Sequence, residues 1–357
     1  MALTDIDAGR LADNIFNVVG ANKNRIINGD MRIDQRNAGA SVTPTASGYT
    51  LDRWRAGVTD ASLFSVQRST TAPTGFTNSL VFTSLSADSG SAGDQYGISQ
   101  RIEGYQIGDL AWGTANAKTV TLSFWVRSSL TGTFGGSIRN NSVNRSYVFT
   151  YSIAAANTWE YKTITIPGDT SGTWDTSTNI GILLNFGLGE GSSVSGTAGS
   201  WSSNNYTGAT GAVQVTATNG ATWYITGVQL EAGSVATPFE HRNFGDELVR
   251  CQRYCQRYQS AAAPNGSIAA GTCGSSSVAY FSLIFVNQFR ASPDMTINNL
   301  GSIAKEGVGW FANTAINSIG AQVNSTTLQT SQTNNNMVAL DPTRIGLGLD
   351  LLFSAEI

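Results

Sequence analysis

Charged residues are scarce in this chain of 357 residues. Asp, Glu, Lys and Arg make up 13% of it, against roughly 25% in an average soluble domain. The formal net charge is -3, so the chain lacks the excess of Lys and Arg with which proteins neutralise a phosphate backbone. We therefore expect no nucleic-acid partner.

Cysteines and long apolar runs are also scarce. Three cysteines are too few for a disulfide framework and indicate folding in a reducing cytoplasm. No run approaches the ~20 apolar residues that span a bilayer. The first 20 residues carry Asp5, Asp7 and Asp13 where an export signal would be basic and then apolar. We expect no membrane insertion and no standard export signal.

The single histidine, His241, leaves little room for sites built on imidazole. It lies where a charged helix is predicted to begin, so we interpret it as a capping or surface residue. No phosphate-binding loop, zinc-protease helix or Cys-x-x-Cys pair is present. Glycoside cleavage needs only two carboxylates, but no spacing singles out a pair among the candidates, which are Asp94, Glu103, Asp169, Asp175 and Glu190. We predict a protein that is not an enzyme and needs no cofactor or catalytic metal.

Two short glycine-containing stretches have features of ligand sites. Asp169 and Asp175 flank a loop, and hard cations take oxygen ligands from such loops, so a structural Ca²⁺ is left open there. Residues 187–191 (GLGEG) resemble a dinucleotide fingerprint, but no helix is predicted after them, so we interpret them as a turn.

The abundance of glycine and of uncharged polar residues favours β structure. Glycine reaches 39 residues, and Ser, Thr and Asn fill most polar positions, a composition typical of short strands joined by turns. Apolar and polar residues alternate with period two in residues 119–127, 163–166 and 223–230. Turn-rich stretches at 167–172 and 187–211 separate them. The sequence therefore predicts a mainly β fold, with a jelly-roll β-sandwich over residues 25–240.

Two helices and a second β domain are predicted outside the sandwich. Residues 1–24 contain an amphipathic helix at about 5–19, which either packs on its own domain or attaches the protein to a larger assembly. Charge concentrates in residues 241–258, which we predict to be a linking helix. After a linker at 261–266, residues 259–357 return to β texture and form a small C-terminal β domain.

The linking helix carries an apolar heptad pattern. Its apolar residues are spaced four, three, four and three positions apart, as in a coiled-coil seam. We predict this seam to be an oligomer interface, and the alternative is a linker helix lying on the sandwich. The seam residues are Phe244, Leu248, Cys251, Cys255 and Tyr258.

Three aromatic residues lie in Gly/Ser/Thr-rich stretches rather than in alternating strands: Trp174, Trp201 and Tyr206. Sugar C–H groups pack on aromatic rings, while neighbouring polar side chains bond the hydroxyls. We predict a glycan-binding role for these rings. The alternative is that they cap an open end of the sandwich core.

Five segments resemble a group of tailed-bacteriophage virion proteins. They span about residues 25–258 and are 25–37 (RIINGDMRIDQRN), 49–54 (YTLDRW), 225–233 (ITGVQLEAG), 236–240 (ATPFE) and 251–254 (CQRY). Members of that group are similar to carbohydrate-binding jelly-roll modules and are often tail-fibre, receptor-binding or minor structural proteins. Most such fibres are homotrimers. The matched motifs look architectural, so no binding residue is carried over from the group.

The resemblance implies a homotrimeric fibre subunit, made in the host cytoplasm and located in the virion. Residues 1–24 would attach to other virion proteins, and the β domains would recognise a host-surface polysaccharide, with repeated sites giving avidity. Two other functions stay open. One is a purely structural head or neck decoration protein, and the other is a polysaccharide depolymerase.

Overall fold

The computed structural model describes residues 22–88, 90–260, 266–305, 309–319, 321–331, 342–346 and 348–357. The predicted N-terminal helix lies outside these residues, as does nearly all of the predicted linker. Contacts within the chain define two compact units, Met1–Phe244 with Ile357 and Gly245–Glu356. Among the described residues, no helix is both long and apolar enough to cross a bilayer.

The first unit is built from short strands and three turns of 3-10 helix, Gly104–Gln106, Gly108–Leu110 and Val215–Ala217. Its strands are β1 (Gly48–Leu51), β2 (Trp54–Gly57), β3 (Phe64–Ser69), β4 (Ser79–Ser84), β5 (Gln95–Glu103), β6 (Val120–Ser128), β7 (Gly132–Arg139), β8 (Ser146–Ile153), β9 (Glu160–Ile166), β10 (Ile180–Glu190), β11 (Ser195–Gly196), β12 (Trp201–Ser202), β13 (Gly208–Ala209) and β14 (Thr222–Ala232).

These strands form a sandwich of two main sheets. One has seven strands in the order β1-β2-β5-β10-β7-β8-β12, and the other has five in the order β3-β4-β14-β6-β9. A short parallel pair, β11 and β13, lies beside them. The three stretches predicted as strands from their alternation became β6, β9 and β14. The mainly β, jelly-roll class followed by a second β domain is confirmed.

Large apolar side chains from both sheets fill the space between them. Phe186 of the seven-stranded sheet contacts Phe124 and Trp223 of the five-stranded sheet, with ring centroids 5.1 and 5.7 Å apart. All three are fully buried, and burying such a ring removes 150–250 Å² of surface from water. This core fixes which side of each sheet points outward.

Residues 25–37 are held in place by buried polar side chains. Asn28 donates from Nδ2 to the carbonyls of Ile33 and Asp52, and Trp54 Nε1 donates to the carbonyl of Asn28 at 2.9 Å. The carboxylate of Asp52 accepts from the backbone and side chain of Gln35. These residues therefore position a loop, as the interpretation of the motifs as architectural predicts.

The described residues of the second unit contain ten strands and a helix, α1 (Phe244–Gln252), which begins at the last residue of the first unit. The strands are β15 (Cys255–Gln259), β16 (Ser267–Cys273), β17 (Val278–Ile284), β18 (Asp294–Asn299), β19 (Ser302–Lys305), β20 (Gly309–Ala312), β21 (Ala315–Ile319), β22 (Ser325–Ser331), β23 (Pro342–Gly346) and β24 (Asp350–Ser354). They form a three-stranded sheet, β15-β24-β18, and a seven-stranded one, β20-β19-β23-β16-β17-β22-β21. Phe281, Leu351 and Phe353 belong to their common core.

The predicted helix over residues 241–258 is wrong in its extent. Helix α1 ends at Gln252, and Cys255 and Tyr258 lie on strand β15, opposite Ser354 and Leu351 of β24. Pairing with a strand almost 100 residues later overrides the local helical pattern, because ladder hydrogen bonds and burial outweigh propensity. Cys251, Cys255 and Cys273 are buried.

The heptad seam is therefore divided between a helix and a strand. Only Phe244, Leu248 and Cys251 lie on α1. Phe244 is 54% exposed, Leu248 is half-buried and Cys251 is fully buried. An oligomer interface at this helix stays a prediction, and the exposed side chain of Phe244 is the feature that supports it.

A candidate binding groove

The outer face of the seven-stranded sheet carries three parallel rows of residues. Strand alternation sends every second side chain away from the core, and the register aligns these positions across β2, β5, β10 and β7. The first row is Gly57, Gly97, Gly187 and Gly135. The second is Arg55, Ser99, Asn185 and Ser137. The third begins on β5 and is Arg101, Leu183 and Arg139.

The glycine row forms a low floor. A Cβ added to Gly97 would lie 2.4 Å from the carbonyl oxygen of Phe186, a distance that would force the backbone apart. At the far side, a Cβ on Gly187 would lie 2.7 Å from Cγ of Glu190. Glycine is therefore needed for the close approach of neighbouring strands and for the space that Glu190 occupies.

A groove of about 270 Å³ opens above these rows. Arginines from three strands surround it, and Ser47, Thr59 and Val143 form part of its exposed rim. None of the described residues that line it is aromatic. The groove is thus a polar, cationic depression on one sheet.

The carboxyl of Glu190 is held at one end of the groove. Thr207 Oγ1 donates to Oε2, and Asn185 Nδ2 donates to Oε1 at 3.3 Å. Burial raises the pKa of Glu190 from 4.5 to about 8, although these two hydrogen bonds and the charge of Arg139 act in the opposite direction. The side chain therefore gains its charge near neutral to weakly alkaline pH.

The arginines of the groove lie close enough to affect one another. The pKa of Arg139 is lowered to about 10, chiefly by burial and also by the charges of Arg101 and Arg55, whereas the charge of Glu190 raises it. The pKa of Arg55 is lowered by burial and then by the charge of Arg101. Mutual repulsion of this kind raises the affinity of a site for anions, because a bound anion relieves it.

The aromatic residues predicted to bind glycans have different surroundings. Trp174 is 7% exposed, and its ring lies 4.6 Å from that of Trp112 and 5.5 Å from that of Trp201, between centroids. Trp201 is half-buried, donates from Nε1 to the carbonyl of Pro167 and has the guanidinium of Arg145 over its ring. This three-tryptophan cluster packs against the sandwich core, as the capping alternative expected. Binding by these rings stays a prediction.

Tyr206 lies apart from that cluster and beside the groove. Its hydroxyl accepts a hydrogen bond from Asn204 Nδ2 at 2.9 Å, and its ring packs against Gly196. Its two sequence neighbours reach the groove, since Asn205 Oδ1 accepts from Arg139 at 2.6 Å and Thr207 contacts Glu190. Tyr206 is thus next to the site without being one of its lining residues.

Asp169 and Asp175, two candidates for catalysis or Ca²⁺ binding, accept hydrogen bonds from side chains of the protein. Asp169 is buried and accepts from Nε and Nη2 of Arg145 at 2.8 and 2.5 Å, and also from Trp174 Nε1. Asp175 accepts from Ser177 and Asn179. Asp169 is therefore neutralised by an arginine, which leaves it poorly suited to the structural Ca²⁺ that the sequence left open at this loop.

One acidic group in the described part of the chain has carboxylate oxygens within 4.8 Å of one another: Asp60, Asp88 and Asp94. Tyr96 donates to Asp60 at 2.8 Å, and backbone N–H groups of Gly90 and Ser91 donate to Asp88 and Asp94. These donors offset part of the repulsion between the carboxylates. Oδ2 of Asp88 is buried and accepts no hydrogen bond within the described part of the chain.

Sequence reasoning missed the groove because its residues come from four separated strands. Residues 187–191, interpreted as a turn, are mostly the end of β10, and Glu190 is its last residue. A signal was present in the even spacing of Gly and Arg, which puts them on one face of a strand. Arg55 and Gly57 are two residues apart, and Gly97 and Arg101 are four residues apart with Ser99 between them. Only the register places these residues side by side.

No protein-family model matches the sequence, and comparison with curated proteins also finds no match. Among solved structures, the chain is similar to the enzymatically active domain of tailspike protein 4 of bacteriophage CBA120, with 15% identity, a TM-score of 0.32 and coverage of 59% of this chain. The match spans only 22% of the tailspike chain.

Carbohydrate-binding modules are also similar. A family 4 module has 16% identity and a TM-score of 0.29, covering 58% of this chain and 98% of its own. A family 11 module from Clostridium thermocellum, in complex with a mixed-linked tetrasaccharide, has 15% identity and a TM-score of 0.27, covering 57% and 100%. What this chain binds is therefore inferred from its own groove.

Proposed function

We propose that this protein is a non-enzymatic subunit of a bacteriophage fibre that binds a host-surface glycan through the groove on its seven-stranded sheet. The groove itself carries the adhesive part of the proposal. It is a polar depression on a rigid sheet, and such depressions with convergent polar groups bind small ligands. The resemblance of residues 25–258 to tailed-phage virion proteins supports the location in a virion.

The assembly proposed is a homotrimer. Phe244, which is exposed, and Leu248, which is half-buried, would contact the other copies through α1. Residues 1–24 would attach the subunit to other virion proteins. Three copies of a weak glycan site would bind a cell surface that carries repeated glycans more tightly than one site could, through avidity. Host cells would assemble the protein in their cytoplasm.

The adhesive part is tested with labelled full-length protein on bacterial cells and on a panel of bacterial surface polysaccharides. We expect saturable binding to at least one polysaccharide, lost in Thr59→Trp, which places an indole on the exposed rim of the groove. The matched control is Thr163→Trp, at an exposed position of β9 in the other sheet. No binding by the wild-type protein would leave the structural decoration role, and equal binding by Thr59→Trp would exclude the groove.

The trimer is tested by light scattering on the wild-type chain and on the Phe244→Ser, Leu248→Ser variant. We expect a trimer that dissociates in the double variant while each subunit keeps its far-ultraviolet circular dichroism spectrum. Val235→Ser is the control, because Val235 is 73% exposed and lies outside α1. A wild-type monomer would contradict the trimer.

A further inference from the structure

The groove lacks the groups that recognise neutral sugars by stacking. Binding of uncharged polysaccharide chains commonly relies on aromatic rings that pack against sugar C–H faces. The described lining residues include no ring, but they include Arg55, Arg101 and Arg139. The groove therefore presents positively charged side chains to a ligand, whereas a stacking site presents aromatic rings.

Two of these arginines have guanidinium groups available for a ligand. Within the described part of the chain, the side chains of Arg55 and Arg101 make no hydrogen bond and no ion pair, and both are only half-buried. Arg139 differs, because it is buried and donates to Asn205 Oδ1. Arg139 thus forms a fixed wall, and Arg55 and Arg101 are the groups that a ligand can reach.

The charge of the groove is opposite to that of the chain. Three guanidinium groups line it together with a single carboxyl, that of Glu190, although the protein as a whole has a formal charge of -3. That carboxyl is already held by Asn185 and Thr207. An excess of positive charge in a depression with low-dielectric walls concentrates anions.

We propose that the groove selects an acidic saccharide, with the guanidinium groups of Arg55 and Arg101 bound to its anionic substituent. This inference rests on the proposed glycan-binding function and specifies its ligand class. Guanidinium groups bind carboxylate and phosphate alike, through paired N–H donors. Sugar hydroxyls would lie over the exposed rim, where Thr59 and the amide of Gln95 provide polar groups.

The test is calorimetric titration of the full chain with acidic oligosaccharides, each paired with a neutral counterpart. Uronic-acid oligosaccharides are compared with their methyl esters, and phosphate-bearing ones with their dephosphorylated forms. We expect at least one acidic member to bind about tenfold or more tightly than its neutral partner, as charge-assisted hydrogen bonds imply. The pair that responds identifies carboxylate or phosphate as the anion, and its affinity falls as NaCl is raised.

Variants locate the contact. Arg55→Gln and Arg101→Gln should each weaken binding of the acidic member about tenfold while the melting temperature stays near that of the wild type. Arg127→Gln is the matched control. It removes the same charge from β6 of the other sheet, where Arg127 donates to the carbonyl of Asn157, and its affinity should equal that of the wild type.

The outcomes separate the two proposals. Equal binding of acidic and neutral partners, unaffected by the arginine variants, overturns the acidic-ligand inference and leaves glycan binding in place. Equal loss in Arg127→Gln shows attraction to the whole molecule and also overturns the inference. If the protein binds no saccharide of the panel in either form, and no bacterial surface polysaccharide, both proposals fail.

Discussion

The three-tryptophan cluster and the arginine groove lie in the same sandwich, and both contain side chains that often bind ligands. In the cluster, the indole N–H groups of Trp112, Trp174 and Trp201 donate to Lys118, Asp169 and Pro167. In the groove, the guanidinium groups of Arg55 and Arg101 make no such bonds within the described residues. The indole N–H groups thus have hydrogen-bond acceptors within the protein, and these two guanidinium groups have none among the described residues.

The difference teaches that residue type alone does not identify a site in a β-sandwich. A buried ring whose polar atom is hydrogen-bonded contributes mainly to packing, because exposing it would cost both contacts and a hydrogen bond. A half-buried cation without a partner retains binding capacity. The comparison therefore predicts large stability effects in the cluster and large affinity effects in the groove.

The largest expected effect is the loss of stability in Trp174→Ala. Removing this buried ring should lower the free energy of unfolding by about 3–5 kcal/mol, the usual cost of a buried aromatic side chain. Urea denaturation followed by circular dichroism measures it. Glycan affinity of the folded fraction should stay unchanged, and a selective loss of affinity with normal stability would instead support the ring as a binding residue.

The floor of the groove should be the next most sensitive region. Gly97→Ala places a methyl group against the carbonyl of Phe186 and should cost about 1–3 kcal/mol, as overpacking does. Gly93→Ala is the matched control, since a Cβ there meets nothing within 4 Å. Equal stability of the two variants in urea denaturation would show that the strands can separate without loss.

The pH dependence of stability should reveal Glu190. Because its pKa is raised to about 8 in the folded protein, the folded state binds more protons than the unfolded state between about pH 4.5 and 8. Stability should therefore fall as pH rises through this window and level off above it. Melting temperatures of wild type and Glu190→Gln, measured at each pH, should diverge in favour of the variant. Parallel curves would contradict the raised pKa.

The smallest effect is expected at Tyr206. Tyr206→Phe removes a hydroxyl whose partner, Asn204, is exposed, so stability should change by less than about 0.5 kcal/mol. Calorimetric affinity for the acidic saccharide should equal that of the wild type. A marked loss of affinity would move the boundary of the site to include this residue.

Much of the β architecture could be predicted from local pattern. The alternation in residues 119–127 and 223–230 corresponds to β6 and β14, and the predicted strand at 163–166 lies within β9. These features depend on residues two apart, so the sequence carries them directly.

Local pattern gave the wrong secondary structure where a strand pairs with a partner far away in the sequence. Cys255 and Tyr258 follow a helical spacing, but they lie on β15, which pairs with the C-terminal strand β24. Residues 187–190 contain the glycines of a turn, yet they continue β10, because β5 and β7 pair along it. The stability of these pairings comes from partners that local composition does not identify.

By itself, the sequence determined the mainly β class, the sandwich strands with strong alternation and the scarcity of charge. Tertiary structure alone decided that Arg55, Arg101 and Arg139 share one groove and that Trp174 is enclosed by other rings. The physical reason is register. The alternation of residues along a strand decides which face of the sheet a side chain lies on. The side chains beside it are decided by the hydrogen-bonded register with other strands, which come from distant parts of the chain.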